Sequence, residues 1–373
     1  MRGAVVFFPE GLYRLDGLLS AHASGVVVRG AGADKTRLYF TTGEGMSDGA
    51  HLLLSGDATV DLEIALTHNG APRADFVEVA DPGDLAPGDD VAVGWVITDA
   101  FVDEHGMTGT WNAFNGTWQP FFLRTVVAID KASSPPRIQL DVPLRYPAKL
   151  RDAASGRRQK GAIHDCGVES LAISNAVGWD AAWTVLRSHA IRLLHTRDCW
   201  IRGVSSFSSP AAPTSGPGLG AHLQSGGFLV EESKRVTVTV ADSRLGLAEN
   251  RGDGGSGYLF EVQRSSEVLF RDEVAENGRH NLIQSWGFGT TGCVFLRVES
   301  RGGVAMIDKN DTLGLTGMSE FHRSLATANL IDSSTFDDGF SIVNRGDEST
   351  GAGHAGTENV LWNLRGKGTL RSL

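Results

Sequence analysis

From residue 163 onward the chain is written in short apolar runs separated by glycine, serine and aspartate, and no helical period connects them. One set reads VESLAIS (168–174), IRLLHTRD (191–198), VTVTVADS (236–243), VLFRDEVAEN (268–277), VFLRVES (294–300), ATANLIDSS (326–334) and VLWNLRG (360–366). Apolar and polar positions alternate within these runs, which predicts half-buried strands. Successive starts lie 23, 45, 32, 26, 32 and 34 residues apart, and the longest interval carries the Pro/Gly/Ser loop 205–220. A second set lies between them: GYLFEVQ (257–263), RHNLIQS (279–285), GVAMIDK (303–309) and GFSIVNR (339–345). Two or three short strands in each repeat of about 20–35 residues suit coils that stack, each burying its apolar side against the next. A sandwich or barrel would instead join neighbouring strands through Asn-Gly or Asp-Gly hairpins. Asn277-Gly278 and Asp253-Gly254 are present, but the recurring strand pattern favours stacking, and the expected fold is an all-β parallel β-helix.

The first forty residues add a more specific signal. Phe8-Pro9-Glu10-Gly11-Leu12-Tyr13 follows an apolar strand, and Arg29-Gly30-Ala31-Gly32-Ala33-Asp34-Lys35-Thr36-Arg37-Leu38 follows a second one. These segments resemble the opening coils of the right-handed parallel β-helix proteins of the pectate lyase superfamily. The resemblance covers about two coils by motif and the remainder by rhythm. It implies a right-handed β-helix acting on carbohydrate. That superfamily hosts lyases, hydrolases, epimerases, transferases and phage tailspikes, so the resemblance speaks to fold and not to reaction.

Residues 75–160 break the rhythm. DFVEVADPGDLAPGDDVAVGWV and RTVVAIDKASSPPRIQLDVPLRYP read as strand pairs, with an aromatic loop between them that holds Trp111, Phe114, Trp118, Phe121 and Phe122. The expected organisation is N-terminal coils at 1–74, a small β-rich insertion at 75–160 and the main helix body at 161–373. The aromatic loop serves either as the core of the insertion or as a sugar-stacking wall, since aromatic faces offer flat apolar area with polar edges.

Composition narrows the partners. Of 373 residues, 34 are Lys or Arg and 44 are Asp or Glu, a formal net charge of −10 that argues against nucleic acid or an anionic membrane surface. A polyanionic sugar stays open, because a local basic cleft can sit on an acidic protein. No apolar run approaches the roughly 18 residues needed to span a bilayer, so no membrane partner is expected. The N-terminus meets Pro9 too early for a signal peptide, although the superfamily resemblance implies a secreted or periplasmic protein. Cys166, Cys199 and Cys293 each precede a strand-like run and match no zinc spacing, so they read as small buried residues at equivalent repeat positions.

The candidate chemistry follows from aligning the second strand set. Its register puts Tyr258, His280, Val304 and Phe340 in one column, and Gln284, Asp308 and Asn344 in another, with Lys309 and Arg345 next to them. Coils about 4.8 Å apart would turn these columns into a polar surface. In the first set Arg271 would stack over Arg297 and Glu273 over Glu299. Nearby, Glu320, His322 and Arg323 fall just before a strand.

Two reactions suit such a surface. β-Elimination needs cations to neutralise a uronate carboxylate and a base to take the C5 proton. Hydrolysis or fructosyl transfer needs paired carboxylates about 5–9.5 Å apart, and Glu261, Asp272, Glu273, Asp308 and Glu320 are available. We expect a polysaccharide lyase, with Lys309, His322, His280, Asp308 and Glu320 as catalytic candidates. Arg279, Gln284, Trp286, Tyr258, Arg323, Asn344 and Arg345 are the substrate-binding candidates. The alternatives are a hydrolase or transferase on the same face, or a non-catalytic tailspike-like glycan binder. No metal ligands stand out and no cofactor is required. Calcium and a homotrimeric assembly are both compatible with the scaffold, and the partner is a polysaccharide or oligosaccharide.

Overall fold

The computed structural model describes residues 3–176, 187–216, 218–239, 244–246, 256–305 and 317–372. The chain winds as a right-handed parallel β-helix. Among the described residues an 11-stranded and a nine-stranded sheet run along it, with a smaller four-stranded sheet at the third corner. Pairing within these sheets is parallel, coil upon coil, from Ala4–Phe8 against Val26–Gly30 to Phe340–Ile342 against Leu370–Ser372. Apolar side chains of successive coils form inward columns such as Ile191, Phe228, Phe260 and Leu282, all buried in one continuous core. Phe270 and Phe295 stack within that core with ring centroids 4.9 Å apart. The cysteines behave as expected. They are free and buried, and Cys166 and Cys199 are vertical neighbours, the Cys166 amide donating to Cys199 Sγ at 3.3 Å.

The register differs from the expected one in three places. First, Tyr258 does face His280, but the next rung is Ser319–Phe321, with Ile283 opposite Glu320 and Gln284 opposite Phe321. Phe340 then pairs with Ser319. The rung expected of GVAMIDK is thus occupied by Ser319–Phe321; residues 306–309 of that segment lie outside the described residues, and alternation carries no record of which coil a run joins. A Cβ added at Gly303 would lie 1.8 Å from the Gly317 carbonyl oxygen, so the chain closes on itself there. Second, the sequence offers Ile283 as a core rung and leaves the facing of Leu282 open, but Leu282 points into the core while Ile283 shares the outward column of Glu261 and Glu320. Third, Arg271 lies opposite Leu296, and Glu299 opposite Val274. The like charges are thus offset into opposite-charge pairs, Arg297 with Asp272 at 2.6 Å and Arg301 with Glu276.

The insertion is a six-stranded antiparallel sheet that begins earlier than expected. Thr59–Ala65 forms its edge, followed in spatial order by Ser155–Lys160, Asp90–Val96, Trp118–Asp130, Arg137–Leu140 and Phe76–Glu78. Its aromatic loop is core: Trp95 stacks on Phe121 at 3.7 Å, and Trp111 meets the helix-body residue Phe288 edge-on at 5.1 Å. Phe288 and Leu325 belong to the same buried cluster as these rings, which fastens the insertion to the helix.

Candidate active-site cleft

The outward face of the nine-stranded sheet carries two neighbouring columns. One runs Arg192, Leu229, Glu261, Ile283, Glu320; the other continues from Glu231 to Gln263, with Ser285 and His322 one residue beyond the paired Gln284 and Phe321. They floor a cleft of about 560 Å³. Arg187 and Arg279, which precede strands, and Arg264, Trp286 and Arg323, which follow them, stand along its sides. With Arg192, five arginines line it. Arg264 and Trp286 occupy left-handed corners, with φ of 42° and 50°. Such a conformation is costly for residues with a Cβ, and here it aims two long side chains along the rim.

His280, Glu320 and His322 meet beneath this cleft. The Glu320 carboxylate contacts His322 Nδ1, lies 3.3 Å from His280 Nε2 and accepts from Arg345 Nη1 at 2.9 Å. Burial opposes its ionisation, but this cationic and imidazole surround outweighs burial and holds the carboxyl well below the usual range. Burial pushes His280 down to about 3 and also lowers His322, despite the Glu320 carboxylate beside it. Both imidazoles are therefore neutral near pH 7. His322 Nε2 has no hydrogen-bond partner among the described residues, and the residue lines the cleft.

The Tyr258 ring is flanked by the guanidinium groups of Arg187 and Arg279, 5.5 and 5.7 Å from its centroid. Burial raises its phenol pKa. Glu261 is fully buried, accepts from Gln263 Nε2 at 2.6 Å and faces Arg187 Nη1 at 3.5 Å; burial raises its pKa against the pull of Arg187. Arg323 is pinned between rings, 4.0 Å from the centroid of Trp286 and 5.1 Å from that of Phe114. Its Nη1 donates to the Ser349 carbonyl, while its buried Nε and Nη2 have no hydrogen-bond partner and no described acid pairs with it.

Of the sequence candidates, the cleft brings together Arg279, Trp286, His322 and Arg323, with Tyr258, His280, Glu320 and Arg345 packed beside or below them. Asp308 and Lys309 lie outside the described residues. Gln284 corrects the expectation. Its side chain is fully buried in an inward column and donates to the Arg323 carbonyl at 3.0 Å, so it braces the coil. Asn344 is exposed and caps its own turn, accepting from Gly346 N at 2.9 Å. Asp272 and Glu273 sit at a different corner, Asp272 paired with Arg297 and Glu273 buried. Arg187, Arg192, Glu231 and Arg264 were missed. Each is an ordinary charge in its own segment, and only vertical stacking of coils joins them.

No known protein family matches the chain, and no curated protein does. Several solved structures are similar to it. The tailspike protein gp49 from Pseudomonas phage LKA1 aligns over 97% of this chain and 50% of its own, at 14% identity and a TM-score of 0.58. The Pseudomonas phage phi297 tailspike gp61 follows at 14% identity, with 97% and 65% covered and a TM-score of 0.37. The gp54 tailspike of Acinetobacter baumannii bacteriophage AP22, solved with a capsular saccharide, follows at 8%, 97% and 64%, with a TM-score of 0.39. The chain spans about half the length of the first, and that likeness establishes the parallel β-helix.

Proposed function

We propose that this protein acts on an extended acidic polysaccharide bound in the arginine-lined cleft and cleaves it by β-elimination. The observation that carries the reading is Arg323. A buried guanidinium without an acidic partner costs several kcal/mol, roughly, relative to a paired one. A substrate carboxylate would offset that cost once the half-exposed Trp286 ring moves aside to uncover the guanidinium, and the same ring offers a flat face for a sugar.

Arg323 and Arg279 neutralise the uronate carboxylate, which acidifies the C5 proton. His322 Nε2 takes that proton while Glu320 holds its Nδ1 side. The C5–H electron pair becomes the C4–C5 double bond and the C4–O bond breaks. The departing oxygen collects a proton from the Tyr258 phenol or from the His322 imidazolium. The substrate implies an extracellular place of work.

A hydrolase is the second reading, favoured by one observation. Glu261 and Glu320 share an outward column two rungs apart, about 9.6 Å at the backbone, which approaches the spacing of an inverting pair. The burial of Glu261 weighs against it. The buried aromatic loop suits a pure glycan binder, but His322 Nε2 and the Arg323 Nε and Nη2 atoms have no hydrogen-bond partner among the described residues, which supports an enzyme.

Incubation with a panel of uronate and neutral polysaccharides separates the three. New absorbance in the unsaturated-uronate band is expected. Reducing ends without that band would replace the lyase by the hydrolase, and retention on a glycan without either product would leave a binder.

A further inference from the structure

We infer that His280, Glu320 and His322 form a binding site for a divalent transition-metal ion of the zinc class, in competition with the Arg345 guanidinium. The decisive atom is His280 Nε2. On the other side of the ring Nδ1 lies against the Met318 carbonyl oxygen, which can only accept, so Nδ1 carries the hydrogen. Nε2 then presents a lone pair. It is buried without a hydrogen-bond partner, and 3.3 Å away it faces Glu320 Oε1, also an acceptor. Two acceptors aimed at each other lack an electrophile between them.

The spacing fits a metal ion. Zinc bound through arms of about 2.0–2.2 Å in a tetrahedron separates neighbouring ligand atoms by roughly 3.3–3.6 Å, which the His280 Nε2–Glu320 Oε1 pair meets at 3.3 Å, while His322 Nδ1 now touches Glu320 and would draw back to admit an ion. His322 completes the set: one ligand atom from each of the three residues lies within 4.8 Å of the others, and its Nδ1 is the nitrogen that contacts the Glu320 carboxylate. Two imidazoles and one carboxylate suit Zn²⁺, Co²⁺ or Fe²⁺, whereas Ca²⁺ and Mg²⁺ prefer all-oxygen shells. The Met318 carbonyl already plays the outer-shell part usual for a metal-bound histidine, fixing the tautomer and aiming Nε2.

Arg345 is the competitor. Its Nη1 touches both Glu320 Oε1 and His322 Nδ1, the two atoms a metal ion would claim. Its other contacts, Glu348 Oε2 at 3.2 Å and Ser349 Oγ at 3.4 Å, offer a retracted position on the neighbouring turn. Metal binding and the arginine contact therefore exclude each other. The inference goes beyond the lyase reading. A metal on Nδ1 leaves Nε2 protonated, so metal binding silences His322 as a base.

The test measures binding directly. The full chain, stripped with a chelator, is titrated with Zn²⁺ by calorimetry and with Co²⁺ by visible absorption. We expect one saturable site, the intense bands of low-coordinate Co²⁺, an affinity at least about 100-fold lower in His280→Ala, and tighter binding by about tenfold in Arg345→Gln. If neither the wild type nor Arg345→Gln binds, the inference falls. It also falls if His280→Ala binds as well as the wild type, or if Ca²⁺ is preferred over Zn²⁺. Should His280→Ala fail to fold, the Co²⁺ spectra decide, since octahedral bands in both remaining proteins refute the site. None of these readouts depends on polysaccharide turnover, so loss of the lyase reading leaves them intact.

Discussion

Arg323 is a side chain whose structural and functional costs have opposite signs. Replacing it by Met removes a buried charge that no described acid balances and keeps the stem packed between Trp286 and Phe114. The free protein should hold or gain thermal stability, because an apolar residue of similar shape is often neutral or stabilising at such a site. Loss of one charge-assisted contact of about 1.5–3 kcal/mol should meanwhile lower kcat/KM roughly 10- to 100-fold on an acidic polysaccharide. A merely structural arginine would show falling Tm with unchanged kinetics. His322→Gln tests the base in a different way. It should reduce kcat by about 10²–10⁴-fold while leaving glycan retention near wild type. The sequence put His322 and Arg323 among the candidates because an acid, an imidazole and a guanidinium crowd into one short segment. It misplaced Gln284 because polarity near a strand end does not report which face the side chain takes.

One wall of the cleft is a turn held from outside. Ser349 and Thr350 line the cleft with φ of 51° and 64°, and the insertion steadies their turn. Trp111 Nε1 donates to the Ala352 carbonyl at 3.0 Å, and a Cβ on Gly351, at φ 79°, would fall 1.8 Å from the Thr110 carbonyl oxygen. Trp111→Phe keeps most of the ring packing and loses that hydrogen bond, worth about 0.5–1.5 kcal/mol. We expect a modest fall in Tm with a rise in KM and little change in kcat; an unchanged KM would detach the insertion from the cleft. A second element-scale link joins coils at Glu232 and His195, 2.7 Å apart. The His195 contact, with Arg264 adding to it, overcomes burial and holds Glu232 at about 2, while the same pair raises His195. A depressed carboxyl contributes stability above its unfolded pKa of about 4.3 and loses it as pH falls towards the folded value. A raised histidine contributes below its unfolded pKa of about 6.5 and loses its share as pH rises through the folded one. Glu232→Gln should therefore lower Tm most between about pH 4.5 and 6.5, and the difference should fade towards pH 2. His195 falls in a run legible from the sequence, IRLLHTRD, but the strand Gly226–Glu231 that leads to Glu232 was not among the runs read there, and the first link joins turns. Stacking partners were not legible, because alternation marks a strand and its faces but not the coil it stacks on, as Ser319–Phe321 beside His280–Gln284 demonstrates.

At the scale of the whole molecule, the parallel β-helix was readable because every coil repeats one burial problem, so the solution recurs along the sequence at intervals of 23 to 45 residues. The cleft was not readable as a unit, since its arginines come from positions 187 to 323 and gather only through stacking. That gathering sets local charge against global charge. Five arginines line a cleft on a body of formal net charge −10, and three of them, Arg187, Arg192 and Arg264, already pair with Asp48, Glu231 and Glu232, so under the proposed function a polyanion is repelled at long range and held only at short range. Salt acts differently on the two. Raising ionic strength from about 0.01 to 0.1 M contracts the screening length from about 30 to 10 Å, which removes the long-range repulsion but spares contacts of a few ångströms inside a partly buried cleft. The association rate of an acidic polysaccharide should therefore rise over that interval, while the dissociation rate changes little until salt climbs further. Stopped-flow or surface-binding kinetics at fixed pH would show it, with a neutral polysaccharide as the salt-insensitive control. An association rate that falls steadily with salt would mean that the arginine field reaches beyond the cleft and steers the encounter from the start.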